Sequence, residues 1–306
     1  MNKTIQRPGD TIFRGTAVAA ATTILVTLAA VGIFLTIKGI PGMTASPEEV
    51  KHGTTFLAYV APLVFGTLWA AALALAIATP VGIGVALFIS HYAPRKLAGP
   101  VGYVIDLLAA VPSVVFGAWG IMTLAPAMRG PYAWLEDNLG FIPFFAGPAS
   151  ATGRTMLTAA LVLAVMVIPI MTALCREIFL QTPRLHEEAA LALGATRWEM
   201  VRMAVFPHAK SGIVSAAMLA LGRALGETMA VAMVLSASGV VTFNLISSTN
   251  PSTIAANIAL SFKEASGLTV NALIATGLVL FVITFAVNFV ARLIVTGPNR
   301  AKAAKS

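Results

Sequence analysis

Arg223 and Glu227 are the residues whose chemistry is hardest to reconcile with their surroundings. They sit in Gly222-Arg223-Ala224-Leu225-Gly226-Glu227-Thr228-Met229, near the middle of a stretch, 213–236, that carries no other charge. An arginine at a bilayer centre costs about 2.5–3.5 kcal/mol even on insertion scales, so such residues face a bundle interior or a watery path. Guanidinium offers a rigid fork of donors that matches a tetrahedral oxyanion bidentately. A carboxylate four residues on shares its helix face and can neutralise it. That carboxylate would also accept a hydrogen bond from an anion that still carries a proton. Phosphate carries one at neutral pH, and sulfate does not. The pair would equally serve as a buried ion pair that only fixes helix packing. Gly222 and Gly226, at Gly-x3-Gly spacing, would let another helix approach alongside.

A second constellation is polar. Glu188-Ala189-Ala190-Leu191-Ala192-Leu193-Gly194 is followed thirteen residues later by Pro207, with Arg197, Trp198, Glu199 and Arg202 between. Apolar runs flank it, so it must lie in water. Glu188 to Leu193 are good helix formers, Gly194 can supply the turn, and Thr196 can cap a second helix. That second helix is expected over Arg197–Val205, stopping before Pro207. Trp198, Val201 and Val205 would share one apolar face, a knob suited to a groove on a soluble partner.

The elements that must position these groups follow from composition. The 306 residues are 58% hydrophobic and 10% charged, with a mean hydropathy of +0.88. Soluble domains carry about 25% charged residues, so the chain is read as an all-α integral membrane protein. The net charge of +8 is scattered between apolar runs, without interleaved aromatics, which argues against nucleic acid as a partner. A single cysteine, Cys175, excludes an internal disulfide. No Gly-x4-Gly-Lys-Ser/Thr loop is present, so ATP hydrolysis is not expected in this chain. No metal-ligand spacing occurs either, and His52, His91, His186 and His208 fall in loops or at span ends.

Six membrane spans are expected, at about 15–37, 62–90, 102–124, 157–174, 213–236 and 273–294. Pro112, beside Ser113, should break the third in mid-membrane, and 129–154 reads as a polar loop. Of the 20 lysines and arginines, Lys38, Lys51, Arg129, Arg154 and Lys263 would lie outside and Arg223 within a span. The other fourteen would lie inside, which makes both termini cytoplasmic. The chain then divides into a basic cytoplasmic N-terminus (1–14), an extra first span with an external loop (15–60), a core (61–295) and a basic cytoplasmic tail (296–306).

The 188–207 stretch resembles the EAA loop of ABC-importer permeases. Glu188, Ala189, Ala190, Gly194 and Pro207 stand at its positions, while Ala204 and Phe206 replace its Ile and Leu. The stretch Arg223–Val231 is similar to the matching span of PstC-type permeases of the bacterial phosphate importer, and Ala109–Gly117 to their third span. The resemblance implies a MetI-like permease in the bacterial plasma membrane, not an enzyme. It implies Glu188, Ala189, Ala190, Gly194 and Pro207 in ATPase coupling, and Arg223 and Glu227 in the phosphate path; Arg197 and Trp198 of the same loop are further coupling candidates, and Ser113 and Thr228 are candidate path residues whose contact with substrate the sequence leaves open. It also implies a PstA-like second permease, two PstB-like ATPases that use ATP and Mg, and an external PstS-like phosphate-binding protein. The residues alone leave sulfate or molybdate open as the anion, and leave open a membrane scaffold subunit that transports nothing.

Overall fold

In a bilayer every backbone N–H and C=O must be satisfied within the chain, so long apolar runs become helices. The computed structural model describes residues 8–46 and 55–303. Lys3, Arg7, Glu48, Glu49, Lys51, His52 and Lys305, on which part of the charge reading falls, lie outside the described residues. Among the described residues, five single helices are long and apolar enough to cross a membrane, and a sixth candidate is a broken pair bent by 92°.

The core is built on α2 (Phe56–Leu87) and α6 (Met156–Leu180). Ala70, Ala74 and Ala78 recur every fourth residue on α2 and are all but fully buried. Small side chains at this spacing let two helices approach closely without a solvent-driven hydrophobic force. At Gly82 a Cβ would come 2.7 Å from the Cβ of Met171, so only glycine fits there. A five-residue π-helical turn, Phe88–Tyr92, continues α2. The first span, α1 (Pro8–Thr44), packs on α12 (Leu268–Ala303). There Gly42 lies so close to Ala272 that a Cβ would fall 2.2 Å from its backbone nitrogen.

The third span departs from expectation. Pro112 breaks the chain, as its missing N–H and fixed φ require. It separates α3 (Arg95–Ala109) from α4 (Ser113–Trp119), which runs through a π turn into α5 (Ala125–Leu139). The two parts stand at 92°, so the third span is a sharply bent helix pair rather than one straight helix. Ser113–Leu139 is about 40 Å long at 1.5 Å per residue. Asp106, expected near a span end, pairs with Arg176 at 3.5 Å. Residues 129–139, read as loop, are helical.

The long segment 237–267 is ordered, with α11 (Ile254–Ser261) inside it. Asn250, fully buried, accepts from Met156 N at 3.1 Å and donates to the carbonyls of Ser236 and Ser247. Thr67 of α2 accepts from Ile254 N at 2.9 Å. Backbone groups that a loop would leave bare are thus paired, and the cap is pinned across the ends of α2 and α6.

Candidate functional site

The fifth span is two helices, α9 (Phe206–Leu225) and α10 (Met229–Val234), with a break at Gly226–Thr228. Glu227 is buried, and its Oε1 accepts from Ala230 N at 3.0 Å, satisfying one of the N–H groups that open α10. Arg223 lies in the last turn of α9, where the helix dipole favours a cation. The expected ion pair between them is absent. The i, i+4 argument requires a continuous helix, and unwinding at Gly226 diverts Glu227 to the start of α10. The Gly222–Gly226 ridge also receives no helix from this chain: a Cβ at Gly222 would meet nothing within 4 Å.

Arg223 instead lines a cavity of about 1090 Å³ between α6, α9 and α12, with Ser215, Gly222, Asn288 and Arg292 among its walls. Its Nε is buried and has no hydrogen-bond partner. An unpaired buried guanidinium N–H costs free energy that the chain does not recover internally. A second ligand class could recover it, namely an anion with acceptor oxygens.

Ser113 and Thr228 are placed beside the break rather than in the cavity wall. Gly117 abuts Ala230, and Gly120 abuts Val234, where a Cβ would come within 2.9 and 2.8 Å. This register sets α4 and α10 parallel, so Ser113 falls level with the Gly226–Glu227 break. Two helix N-termini therefore lie at one depth, just past Arg223 along the chain of α9. The Thr228 hydroxyl donates to Gly226 O at 3.2 Å and so helps to hold the break.

The polar hairpin forms α7 (Arg184–Ala192), a turn at Gly194 with φ +84°, and α8 (Arg197–Met200). Thr196 and Glu199 make a reciprocal capping box at the start of α8. Hydrogen bonds from the backbone N–H and then the hydroxyl of Thr196 hold the Glu199 carboxyl below its usual range. The expected stop before Pro207 does not occur. A π turn, Val201–Val205, carries α8 directly into α9 with Pro207 in its first turn. The wider turn gives room for a ring that an ideal α-helix would drive into a carbonyl.

The expected apolar knob is also corrected. Val201 and Val205 are fully buried in the chain's own core, while Trp198 is 55% exposed and packs edge-on against Phe206. Glu188, Ala189, Arg197 and Pro207 are exposed and Ala190 is half-buried. Leu193, 90% exposed beside the turn, is the most outward of several apolar residues that periodicity did not single out, Leu185 and Met203 among them. On the membrane side Glu187 meets His91 at 3.5 Å, tying α7 to the π turn that ends α2.

Because one Glu227 oxygen is committed to Ala230, the two substitutions at this site should differ. Glu227→Gln keeps an acceptor for that N–H and should assemble normally. Glu227→Leu leaves the start of α10 unsatisfied, which costs about 1–3 kcal/mol. Thermal unfolding of the purified protein should show a lower midpoint for Glu227→Leu alone; equal midpoints would remove the capping role.

Comparisons with known proteins bear on the family and the fold. Residues 78–298 match the family described as binding-protein-dependent transport system inner membrane component. Phosphate transport system permease proteins PstC 2 of Mycobacterium bovis and Mycobacterium tuberculosis are each 44% identical over 303 residues, covering 95% of this chain and 93% of theirs. The PstC of Haemophilus influenzae is 39% identical over 311 residues, covering 96% of this chain and 95% of its own. Among solved structures, a bacterial ABC transporter involved in import of the acidic polysaccharide alginate superposes with a TM-score of 0.59 at 16% identity, covering 94% of this chain and 99% of that one. A chain of the MetNI methionine ABC transporter in inward-facing conformations gives 0.52 at 17% identity, covering 79% of this chain and 95% of that one. At such identity the structures speak for the fold, and the sequence matches speak for the family. The chain belongs to the binding-protein-dependent transport system inner membrane components, and among them to the PstC-type permeases.

Proposed function

We propose that this chain is one of two permease subunits of an ATP-driven importer for inorganic phosphate, and that Arg223 receives the anion inside the membrane. The observation that carries the proposal is the buried Arg223 Nε, which has no partner in the chain and borders a large cavity. Glu227 and Thr228 support that site by holding the helix break next to it, and Ser113 lies level with that break. The energetics call for a pump. Bringing one negative charge inward against an inside-negative potential costs about 2.3 kcal/mol per 100 mV. The hairpin is the handle for that work, with Glu188, Ala189, Leu193, Gly194, Arg197 and Trp198 on its exposed surface.

The partners that complete such a machine are a PstA-like second permease facing the cavity, two PstB-like ATPases that bind ATP and Mg, and an external PstS-like phosphate-binding protein. The cell membrane of a bacterium is the proposed location, with both termini and the hairpin in the cytosol. Residues 61–295 form the transporting core, and the first span is an addition packed on α12. Expressed with its cognate partners, the chain should restore growth at limiting phosphate to a strain that lacks its own phosphate importer. Rescue of growth at limiting sulfate or molybdate instead would overturn the phosphate reading.

Orientation has its own test. In a Cys175→Ala background, cysteines at the exposed positions Asn138 and Lys263 should react with an impermeant thiol reagent applied outside. Cysteines at Leu193 and Lys210, also exposed, should stay unlabelled until the membrane is opened. The reverse pattern would place the hairpin away from ATP.

A further inference from the structure

Where the hairpin meets the membrane helices, Glu187 Oε1 of α7 stands 3.5 Å from His91 Nε2. The two side chains are 23% and 8% exposed, so the contact is half-sealed from water. Among the described residues it is the one ion pair or side-chain hydrogen bond that joins α7 to the membrane helices. No residue of α7 is buried, so the contact is the specific hold of that helix on α2. His91 belongs to the π turn Phe88–Tyr92, closed by Ala93 N donating to Phe88 O at 2.7 Å. Such a turn inserts one residue into the helical register and re-aims the side chains it carries.

The other ring nitrogen is engaged as well. His91 Nδ1 lies 2.7 Å from Ser90 Oγ, and the Ser90 hydroxyl donates to Ala86 O at 2.8 Å. Three contacts thus run in a row, from Ala86 O through Ser90 and the ring to Glu187. Each needs one proton. The serine hydroxyl brings one, a neutral imidazole brings one more, and a carboxylate brings none. A neutral ring therefore leaves one contact with two acceptors facing each other. With the Ser90 proton on Ala86 O and the ring proton on Nδ1, that contact is the one with Glu187, a lone pair against a carboxylate. An imidazolium supplies the third proton and completes the row.

The surroundings leave Glu187 as the group that answers this proton. The helices α2, α3 and α6 pack against the π turn. No charged residue occurs in α2. Arg95 and Lys96 open α3, which also carries Asp106, and α6 carries Arg176 and Glu177. Asp106 and Arg176 pair with each other at 3.5 Å, and Lys96 and Glu177 are exposed. The phenols of Tyr92 and Tyr103 belong to exposed residues. On α7 itself Arg184, His186 and Glu188 are exposed, and only Glu187 is half-buried.

With the hairpin as the ATPase handle for its premise, we infer that His91 is a positioning residue for coupling: as an imidazolium it ties α7 to α2, so that movement of the hairpin reaches the membrane helices, and as a neutral ring it lets α7 slip. The tie is complete where the ring is protonated. It is lost as the pH on the hairpin side rises through the range in which histidine gives up its charge. Phosphate moved per ATP hydrolysed follows it down.

The test uses the complete importer in proteoliposomes. Binding protein and labelled phosphate are outside at constant pH, so the charge of the external phosphate does not change. ATP is inside, and the inside pH is varied. The reading is labelled phosphate imported per ADP formed. For the unaltered complex this ratio should fall about threefold between about pH 6 and about pH 8, the worth of a partly exposed ion pair. Glu187→Gln sets an amide donor before a neutral ring, so the row is complete at high pH, and its ratio should not fall as pH rises. His91→Gln cannot titrate and should give a flat ratio. A merely structural contact would lower the ratio alike at every pH and leave the slope unchanged. A fall in Glu187→Gln as steep as in the unaltered complex would overturn the inference. So would failure of Glu187→Gln to co-purify with the ATPase subunits, which would make the contact one of assembly. If His91→Gln, altered at a buried site, does not assemble, Glu187→Gln decides alone. Phosphate import by the unaltered complex at a ratio independent of pH removes only the role of His91. An unaltered complex that imports no phosphate at any pH removes the importer reading, and this inference with it.

Discussion

Arg223→Leu should give a permease that assembles at least as well as the original and moves almost no phosphate. The two halves of this expectation come from one observation. Because Arg223 is not paired with Glu227, its removal strands no opposite charge, and it deletes a buried N–H that has no partner. Replacing an arginine inside a membrane by leucine recovers about 3 kcal/mol of insertion cost. Stability therefore gives no reason for an arginine at this position. Transport does, if the guanidinium fork binds the anion. Losing a charge-assisted, bidentate contact worth about 3 kcal/mol lowers uptake about 10²-fold. Arg223→Lys keeps the charge but loses the fork and should fall about tenfold. Co-purification with the partner subunits and uptake of labelled phosphate read the two halves separately. A protein that fails to assemble would make Arg223 a packing residue, and full uptake would remove it from the path.

Gly194→Val should uncouple the hairpin while leaving the membrane core folded. Gly194 has φ +84°, and a Cβ added there would meet nothing within 4 Å. Crowding is thus excluded, and only backbone strain remains. A β-branched residue in the left-handed region is an outlier that costs about 1–2 kcal/mol or more. That strain would fall on the turn between α7 and α8, because α8 is fixed by its capping box and by Val201 and Val205 in the core. The α7 helix buries no residue of its own, so it rather than α8 would shift, straining its Glu187–His91 contact. ATPase retention and uptake should both drop about tenfold, whereas Gly194→Asn should stay near the original, since asparagine tolerates this conformation. Equal loss in Gly194→Val and Gly194→Asn would show that a side chain, rather than φ, is what the turn rejects.

What the sequence could show tracks the range of each physical signal. Span existence was legible because it depends on apolar length alone, and the turn at Gly194 and the cap at Thr196 are local chemistry. The break at Gly226 was not legible. Glycine in an apolar run reads as a packing ridge, and only the structure shows Glu227 capping a new helix there. Pro112 announced a break but not its 92° angle. Periodicity placed Val201 and Val205 on one apolar face, yet it cannot say whether a partner or the chain itself covers that face.

The most direct measurement is ATP-driven uptake of labelled phosphate into vesicles that hold this chain with its second permease, two ATPase subunits and the external binding protein. Phosphate should accumulate above its outside concentration only when ATP is supplied on the hairpin side, unlabelled phosphate should compete, and sulfate should not. Accumulation without ATP, or uptake that sulfate suppresses as well as phosphate does, would contradict the account.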